Sequence, residues 1–592
     1  MMMQIILVST PMDERQRDAV ALRLASREST ETKEDPMTNR IDRTNASGIS
    51  RRDLFKFGTV AVAGVVGAGA LASCAPQTSG TGTSDSGAAA GEAGTAAGHL
   101  REGLPSFLVK PEPITDIKET KDFDVVVVGA GASGVPAALS ALEAGASVAL
   151  LQKENQAISQ GNSGSGIDLA TSDPADVANL VSQLIADSQH RANRALVELW
   201  AQNSGEAVKW VIEKSAESGA PVIDQGNQQH IPLITKKGYT MNFITSFFGP
   251  KPLTTGDGMR ALAETAAKEG VEIFYSTPAE QLVQDDSGKV TGVIAKGEGG
   301  YIQFNAAKGV IMATGDYQND TDMLYYYQPD MTNLEPKQTN KTGDGHKMVV
   351  WAGGKIEDLA HTKMLHDFDA GPSSMCDMPF LSVKNSTGKR FVNETVEMSL
   401  MNCYLRSAED AGHYCQIFDS TYMEDAADWA GKLVDPEALK VYMPEEDVER
   451  EGVFEGQINT YKADTLEELA EKLEIADVDA FVETVERYNE LCAAGADEDF
   501  GKPAQYLVPV DTPPYYGIHR HVRMSAICSG VEVNENHECL TPEGEVIEGL
   551  YAIGNCSGRF YGGIDYPLTV FGLSLGRCYT EGYVIGRMVA QK

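Results

Sequence analysis

Nine cysteines stand in the chain, at 74, 376, 403, 415, 492, 528, 539, 556 and 578, yet no two are spaced as CxxC and none begins CxxCH. That excludes a covalently attached c-type haem and leaves no local zinc or ferredoxin motif, so no metal site is expected. A cluster assembled from distant cysteines stays open; buried thiols are the simpler reading. Basic charge is scarce as well: 49 Lys and Arg face 85 Asp and Glu, a formal net charge of −36. Nucleic-acid binding needs a basic footprint and is set aside. The acidic balance suits a soluble, self-repelling surface. No internal repeat is visible. The apolar run Gly58 to Ala72 falls short of the roughly 20 residues that a spanning helix needs.

That run belongs to a different device. It follows Arg51-Arg52, with Leu54 and Lys56 behind them, and ends at "LASC", Leu71 to Cys74. A paired arginine ahead of a short Gly-, Ala- and Val-rich stretch is the pattern of a twin-arginine export signal; an apolar surface helix is the alternative. "LASC" resembles a lipobox, whose cysteine becomes the acylated first residue of the mature chain. Plain cleavage after Ala70 to Ala72 is the competing reading. An acyl chain gives membrane contact without a transmembrane helix, which places the protein on the extracytoplasmic face of a bacterial cell membrane. Met1 to Pro36 fit no signal design, and Met37 is the more natural start. After Cys74, "APQTSGTGTSDSGAAAGEAGTAAG" is small and polar and reads as a flexible tether. The signal region is 1–74 and the tether 75–120. The twin-arginine route carries folded proteins, commonly because a cofactor is loaded first.

The body opens on "DFDVVVVGAGASGVPAALSALEAGASVALLQKENQ", from Asp122. Val125 to Val128 is an apolar strand, Gly129, Gly131 and Gly134 form GxGxxG, Pro136 to Ala144 reads as a helix, and Ser147 to Leu151 as a second strand. The glycines allow a tight turn and close approach of backbone to a pyrophosphate at the helix N-terminus. Between a strand and a helix, with a second strand at the right distance, the fingerprint marks a dinucleotide site. The contacts it predicts come from Gly129, Gly131, Ala132, Ser133 and Gly134. The residue ending the second strand is usually acidic and holds the ribose hydroxyls; here it is Gln152, whose amide still hydrogen-bonds but without charge, followed by Lys153.

Later segments decide between nicotinamide and flavin. "ISQGNSGSGID" (Ile158 to Asp168), "GVIMATGDY" (Gly309 to Tyr317), "TGDGHKM" (Thr342 to Met348) and "GLYAIGNCSG" (Gly549 to Gly558) together resemble the flavoprotein family of fumarate reductases, succinate dehydrogenases and 3-ketosteroid dehydrogenases. "TTGDGMRALAETAAKEGVEIFYSTPAEQLVQDDSGKVTGVIA" looks like the family's helix–strand–hairpin unit. It has apolar positions at Met259, Leu262 and Ala266 and a strand at Val271 to Tyr275. "GKRFVNE" (Gly388 to Glu394) resembles a segment of the capping domain. The resemblance runs from about Lys121 to Lys592. It implies FAD, an α/β fold with a Rossmann-like FAD-binding domain in two parts (121–355 and 519–592), and an inserted α+β capping domain (356–518). It adds Gly161, Asn162, Ser163, Gly166, Ala313, Thr314, Gly315, Asp344, Gly554 and Asn555 to the expected cofactor contacts. The family's covalent flavin link uses a histidine near Ile158 to Asp168; none is there, so the FAD is expected to be non-covalent.

The family's dicarboxylate machinery is mostly missing. His361 matches a histidine that binds substrate carboxylate, with an ordinary structural histidine as the alternative. The proton-donor arginine would fall at Met398, the relay pair near Ser374 and Asp377, the second histidine near Ser525 or Ala526, and the last arginine near Asp565. Without those cations two carboxylates would be poorly compensated in a dry pocket, so fumarate and succinate are rejected as main substrates. Tyr566-Pro567, within "GGIDYPLTVFG", resembles the "YP" segment of ketosteroid dehydrogenases. There, the resemblance implies, the tyrosine hydroxyl and a backbone N–H bind a substrate carbonyl oxygen; here these would be Tyr566 and Val570. Leu568 and Val570 stand where that family has glycines. Packing of Tyr566 against the flavin is the other reading. The chain after Pro567 reads as a helix whose positive N-terminus would face the flavin. The carbon proton donor is not identifiable from sequence: Tyr325, Tyr326, Tyr327, Tyr404 and Tyr414 are candidates, and Arg559 and Tyr561 would shape the pocket.

No second redox centre is visible. "DSGAAA" (Asp85 to Ala90) and "ESGAPV" (Glu217 to Val222) both lack the threonine that covalent FMN attachment needs. Electrons are expected from a separate membrane-linked cytochrome or FMN protein. The leading expectation is an exported FAD enzyme that saturates an activated C=C bond, in an enone or enoate other than fumarate, of a small-molecule acceptor during anaerobic respiration. A ketosteroid-type dehydrogenase running the chemistry backward is the second expectation, and a flavin electron-transfer subunit without its own substrate the third.

Overall fold

A computed structural model describes residues 105–592 apart from 162, 221, 230–240, 249–253, 359–360, 367–380, 397, 407–409, 429–459, 564 and 568. The twin-arginine pair, Cys74 and most of the tether lie outside the described residues, as do Asn162, Ser374 and Asp377. The end of the expected tether is built into the fold. Phe107 is buried, its carbonyl accepts the Trp351 indole N–H at 2.9 Å, and the first strand starts at Ile117. A large apolar ring ahead of an alternating segment supplies burial that the Gly/Ser-rich part lacks.

The central sheet is built on strands with every side chain from Val125 to Val128 and from Val148 to Leu151 buried. Strands apolar on both faces belong in a parallel sheet covered by helices. Val546–Ala552, Gly300–Met312, Ile117–Val128, Val148–Leu151 and Glu272–Phe274 run parallel, side by side in that order. Glu538–Leu540 adds an antiparallel edge, and Ala279–Gln284 and Val290–Gly297 form a hairpin that pairs with Gly300–Met312. The helix Gly134–Glu143 packs against the C-terminal helix Leu573–Ala590, close enough that a Cβ on Gly586 would overlap the Ala137 carbonyl. Thr255–Glu269 carries a capping box from Thr254 and Asp257 and buries Met259, Leu262 and Ala266, the spacing read from sequence.

The inserted region has its own antiparallel sheet, Leu381–Val383, His413–Phe418, Tyr515–His521 and Tyr461–Ala463 in order. It has its own apolar cluster around Ile417, Phe481, Val485 and Tyr488, covered by the helices Leu466–Lys472 and Val478–Ala494. The "GKRFVNE" segment supplies its charged core: Arg390 donates to Glu394 at 2.9 and 2.8 Å and to Asp497 at 2.8 Å, and Lys502 lies 3.3 Å from Glu394.

The C-terminal helix begins at Leu573, later than the run after Pro567 suggests. Gly572 sits at φ +75°, and its carbonyl accepts the Ser165 N–H at 3.0 Å. This left-handed residue ends the preceding turn before the helix can start.

Candidate active site

Four parallel strands end along one edge of the sheet, and each releases a turn into the same crevice. Ile117–Val128 leads to Gly129, Val148–Leu151 to Gln152 and Lys153, Gly300–Met312 to Ala313-Thr314-Gly315, and Val546–Ala552 to Gly554 and Asn555. The neighbours of the first strand lie on opposite sides of it, which makes this the switch point of the sheet, where ligands of open α/β folds bind. A cavity of about 630 Å³ fills the crevice. Two glycines shape the turn at its edge. Gly129 holds φ +105°, and a Cβ there would overlap the Ala313 carbonyl; a Cβ on Gly134 would overlap the carbonyl of Gly129. Lys153, Lys337, Lys341 and Arg523 line the cavity, with Asp316 as the single acid among the described residues. The amide oxygens of Gln338, Asn340 and Asn555 are buried in its walls with no hydrogen-bond partner among the described residues.

The profile of the FAD binding domain family matches residues 124–566. The chain belongs to that family. A vinyl phenol reductase from Lactiplantibacillus plantarum is 28% identical over 506 residues, 79% of this chain and 96% of the relative. Among solved structures, a flavocytochrome c3 fumarate reductase in an open conformation superposes with a TM-score of 0.60 at 23% identity, covering 80% of this chain and 79% of its own. The 3-ketosteroid-Δ4-(5α)-dehydrogenase of Rhodococcus jostii RHA1 superposes with a TM-score of 0.57 at 22% identity, covering 82% of this chain and all of its own. These likenesses show the fold.

As a member of an FAD-binding oxidoreductase family, the chain holds FAD, and the crevice fits it. The turn at Gly129 to Gly134 opens the helix Gly134–Glu143, where backbone N–H groups and the helix dipole suit a pyrophosphate. The amides with no protein partner suit the polar edges of flavin and adenine. Of the cofactor residues expected from sequence, Gly129, Gly131, Ala132, Ser133, Gln152, Lys153, Gly161, Ser163, Ala313, Thr314, Gly315 and Asn555 line the cavity. Gln152 is 8% exposed, at the end of its strand. Gly134, Gly166, Asp344 and Gly554 do not line it. Gly134 shapes the turn from behind. Gly166 lets its strand touch the Arg194–Glu217 helix, where a Cβ would overlap the Ser204 carbonyl. Asp344 accepts from the Lys153 ammonium at 2.8 Å, alongside Thr342 at 2.6 Å, and so holds that lysine at the cavity wall. Gly554 is gripped by the C-terminal helix.

That grip went unread in the sequence. Arg577 and Glu581 are both buried, one turn apart, and paired at 2.6 Å. Glu581 accepts the Gly554 N–H at 2.6 Å. Arg577 donates to the carbonyls of Gly554 and Ser557 at 3.0 Å each and to the Ser557 hydroxyl at 2.6 Å. The pair fixes the turn that presents Asn555. Its only signal in the sequence is an i,i+4 Arg–Glu spacing inside a largely apolar helix.

Tyr566 belongs to a further part of the cavity lining. Tyr566 and Val570 line the cavity with Met364, Ser525 and Ala526. Burial pushes the Tyr566 hydroxyl well above the usual tyrosine range, so it stays protonated. Its oxygen accepts the backbone N–H of Ser574, in the first turn of the C-terminal helix, at 3.0 Å. The hydroxyl proton remains free to be donated, polarised by that helix N-terminus. The loop carrying Tyr566 is tied at three points. Its own N–H donates to the Lys363 carbonyl at 2.9 Å, Thr362 donates to the Gly563 carbonyl at 2.5 Å, and Arg406 donates to Asp565 at 2.7 and 2.9 Å. Asp565, where the family resemblance puts an arginine, is therefore an anion engaged by a cation from the inserted region.

His361 departs from its expected role. It is 1% exposed and does not line the cavity. One ring nitrogen meets the Tyr317 hydroxyl and the other the Glu357 carbonyl at 3.0 Å, and the ring stacks on Tyr327 at 4.4 Å. Both nitrogens are spoken for, and burial lowers its pKa to about 4, so it offers no cation to a substrate carboxylate. The tyrosines weighed as proton donors do not line the cavity either: Tyr325, Tyr326 and Tyr404 are exposed, Tyr327 stacks on His361, and Tyr414 is buried beside Phe391. Met398 starts the helix Met398–Leu405. Arg559 and Tyr561 do not line the cavity; Tyr561 backs Tyr566, their ring centroids 5.2 Å apart.

Proposed function

We propose that the protein reduces an activated C=C bond, in an enone or enoate other than fumarate, of an organic acceptor. Bound FAD, once reduced, supplies the hydride. As hydride reaches the β-carbon, negative charge gathers on the conjugated oxygen. A donor aimed at that oxygen in a dry site lowers the barrier by about 3 kcal/mol. The observation that carries this reading is the Tyr566 hydroxyl, held at the cavity by the Ser574 N–H, with the Val570 backbone as the second donor. Met364, Ser525 and Ala526 give this wall little charge, and Asp565 is already paired. A carboxylate placed against this wall would meet no cation there. Lys337 and Arg523 line the same cavity, which keeps a mono-carboxylate enoate within the class. The vinyl phenol reductase relative is named for reducing a C=C substrate that is not fumarate. A screen of anaerobic, dithionite-reduced protein against enones, enoates, vinyl phenols, steroids and fumarate, following flavin reoxidation, tests this. The reading fails if fumarate is the best acceptor.

The setting belongs to the same proposal. Arg51-Arg52 and Cys74 make the protein an exported, lipid-anchored enzyme of anaerobic respiration. With no CxxCH in the chain, a separate cytochrome or FMN protein delivers electrons. Cys74→Ser should release the mature protein from the membrane, and retention there would contradict the anchor.

A further inference from the structure

Saturating a C=C bond needs a proton at the α-carbon as well as hydride at the β-carbon, and the proposed reaction leaves the proton's source open. Met398, where the family resemblance puts an arginine, carries no proton to give, and Tyr325, Tyr326, Tyr327, Tyr404 and Tyr414 do not line the cavity. The proton-bearing groups that do are Lys153, Asp316, Lys337, Lys341, Arg523 and Tyr566, with the Cys578 thiol, which burial pushes up to about 12, and small hydroxyls. Lys153 is tied to Asp344 and Thr342, and Tyr566 is assigned to the oxygen.

Asp316 differs from the others in being a buried acid, and it lines the same cavity as Tyr566. It is 1% exposed, directly after the Ala313-Thr314-Gly315 turn. Gln318 fixes it: the Gln318 N–H donates to Oδ1 at 3.0 Å, and its side-chain amide reaches Oδ1 at 3.2 Å and the Ser525 carbonyl at 3.3 Å. Ala526 pairs with Met364 across the two-stranded sheet, and the Lys363 carbonyl accepts the Tyr566 N–H. Asp316 is therefore linked to the Tyr566 loop through Gln318, Ser525, Ala526, Met364 and Lys363. Behind Asp316 the loop carrying Lys341 packs closely: the Gly343 N–H donates to the Asp316 carbonyl at 3.2 Å and the Asn319 N–H to the Lys341 carbonyl at 2.8 Å.

Resting on the reading of the reaction given above, we propose that Asp316 is the acid that protonates the α-carbon, recharged through Lys341. The enolate electron pair forms the new C–H bond, the Asp316 O–H bond breaks, and a carboxylate is left. The Lys341 ammonium returns a proton to it, and water restores Lys341. Hydride comes from reduced FAD, so electrons and protons balance. Burial favours this exchange. It raises the Asp316 pKa against the pull of Lys341, which favours the protonated acid, and lowers that of Lys341 against the pull of Asp316, which eases release of its proton.

Asp316→Asn keeps shape and the Gln318 contact while removing the acid. With FAD content equal to wild type, anaerobic reoxidation of the reduced variant by the best enone or enoate should slow by about 100-fold or more. Reoxidation by ferricyanide, which takes electrons and no carbon-bound proton, should keep its wild-type rate. A merely structural role would slow both acceptors together, and that result overturns the assignment. So does an unchanged enone rate, or a loss seen instead in Lys337→Met or Arg523→Met. If no enone or enoate reoxidises the wild type, the reaction itself is misread and both proposals fall.

Discussion

Replacing Tyr566 by Phe separates the contact its hydroxyl makes with Ser574 from the donor role proposed for it. The oxygen accepts the Ser574 N–H at 3.0 Å, and in the proposed reaction the proton is donated to the substrate oxygen. Loss of the acceptor returns a first-turn helix N–H to its orphan state, which should cost about 1 kcal/mol of stability. Loss of the donor removes an interaction that strengthens only as charge develops, so the acceptor's dissociation constant should stay within about twofold. The chemical step should slow by about 100-fold, the equivalent of about 3 kcal/mol. The ring still packs against Tyr561, so FAD occupancy should be unchanged. Thermal unfolding reads the first effect, and stopped-flow reoxidation of reduced flavin over a range of acceptor concentrations reads the second. A variant that loses stability but reoxidises within threefold of wild type would leave Tyr566 as a helix-capping acceptor and refute the oxyanion assignment.

Arg577→Met alone strands Glu581 in the interior and should cost about 3–5 kcal/mol and lower FAD retention, whereas Arg577→Met with Glu581→Leu should recover much of the stability but not the Gly554 turn, so retention stays poor; calorimetry and flavin content after gel filtration distinguish these. His346 and His361 are buried with pKa values lowered to about 4 by burial. In the unfolded chain they take protons below about pH 6.5, so stability should fall as pH drops from 6.5 towards 4, by about 1.4 kcal/mol per unit for each. His361→Gln should show a shallower fall of melting temperature over that window, and an identical slope would remove His361 from the account. Acid precipitation should release all the FAD into the supernatant, since no histidine lies in Ile158 to Asp168; flavin left in the pellet would mean a covalent link.

What the sequence made legible was local and backbone-driven. Gly129 and Gly134 are needed where a Cβ would overlap a carbonyl, Val125 to Val128 announce a strand buried on both faces, and Met259, Leu262 and Ala266 mark one helix face. Such demands fall on neighbouring residues and leave a pattern. The pairs that finish the site join distant stretches or oppose propensity: Arg406 with Asp565, Asp316 with the Lys341 loop, and Arg577 with the Gly554 turn. Each member taken alone reads as an ordinary charged residue. His361 shows the converse. Its place in the chain matched a substrate ligand, but Tyr317 and Tyr327, from the stretch after the Ala-Thr-Gly turn, enclose it. Phe107 was read as part of a linker because composition averages hide one large ring that finds a pocket.

Whether the cavity itself saturates a C=C bond is decided by an anaerobic single turnover. Reduced protein is mixed with its best enone or enoate, and product is counted by mass spectrometry against flavin reoxidised. One saturated product, two hydrogens heavier, is expected for each flavin reoxidised, and none from fumarate at the same concentration. Reoxidation without saturated product would contradict it and leave the chain as a carrier of electrons for another protein.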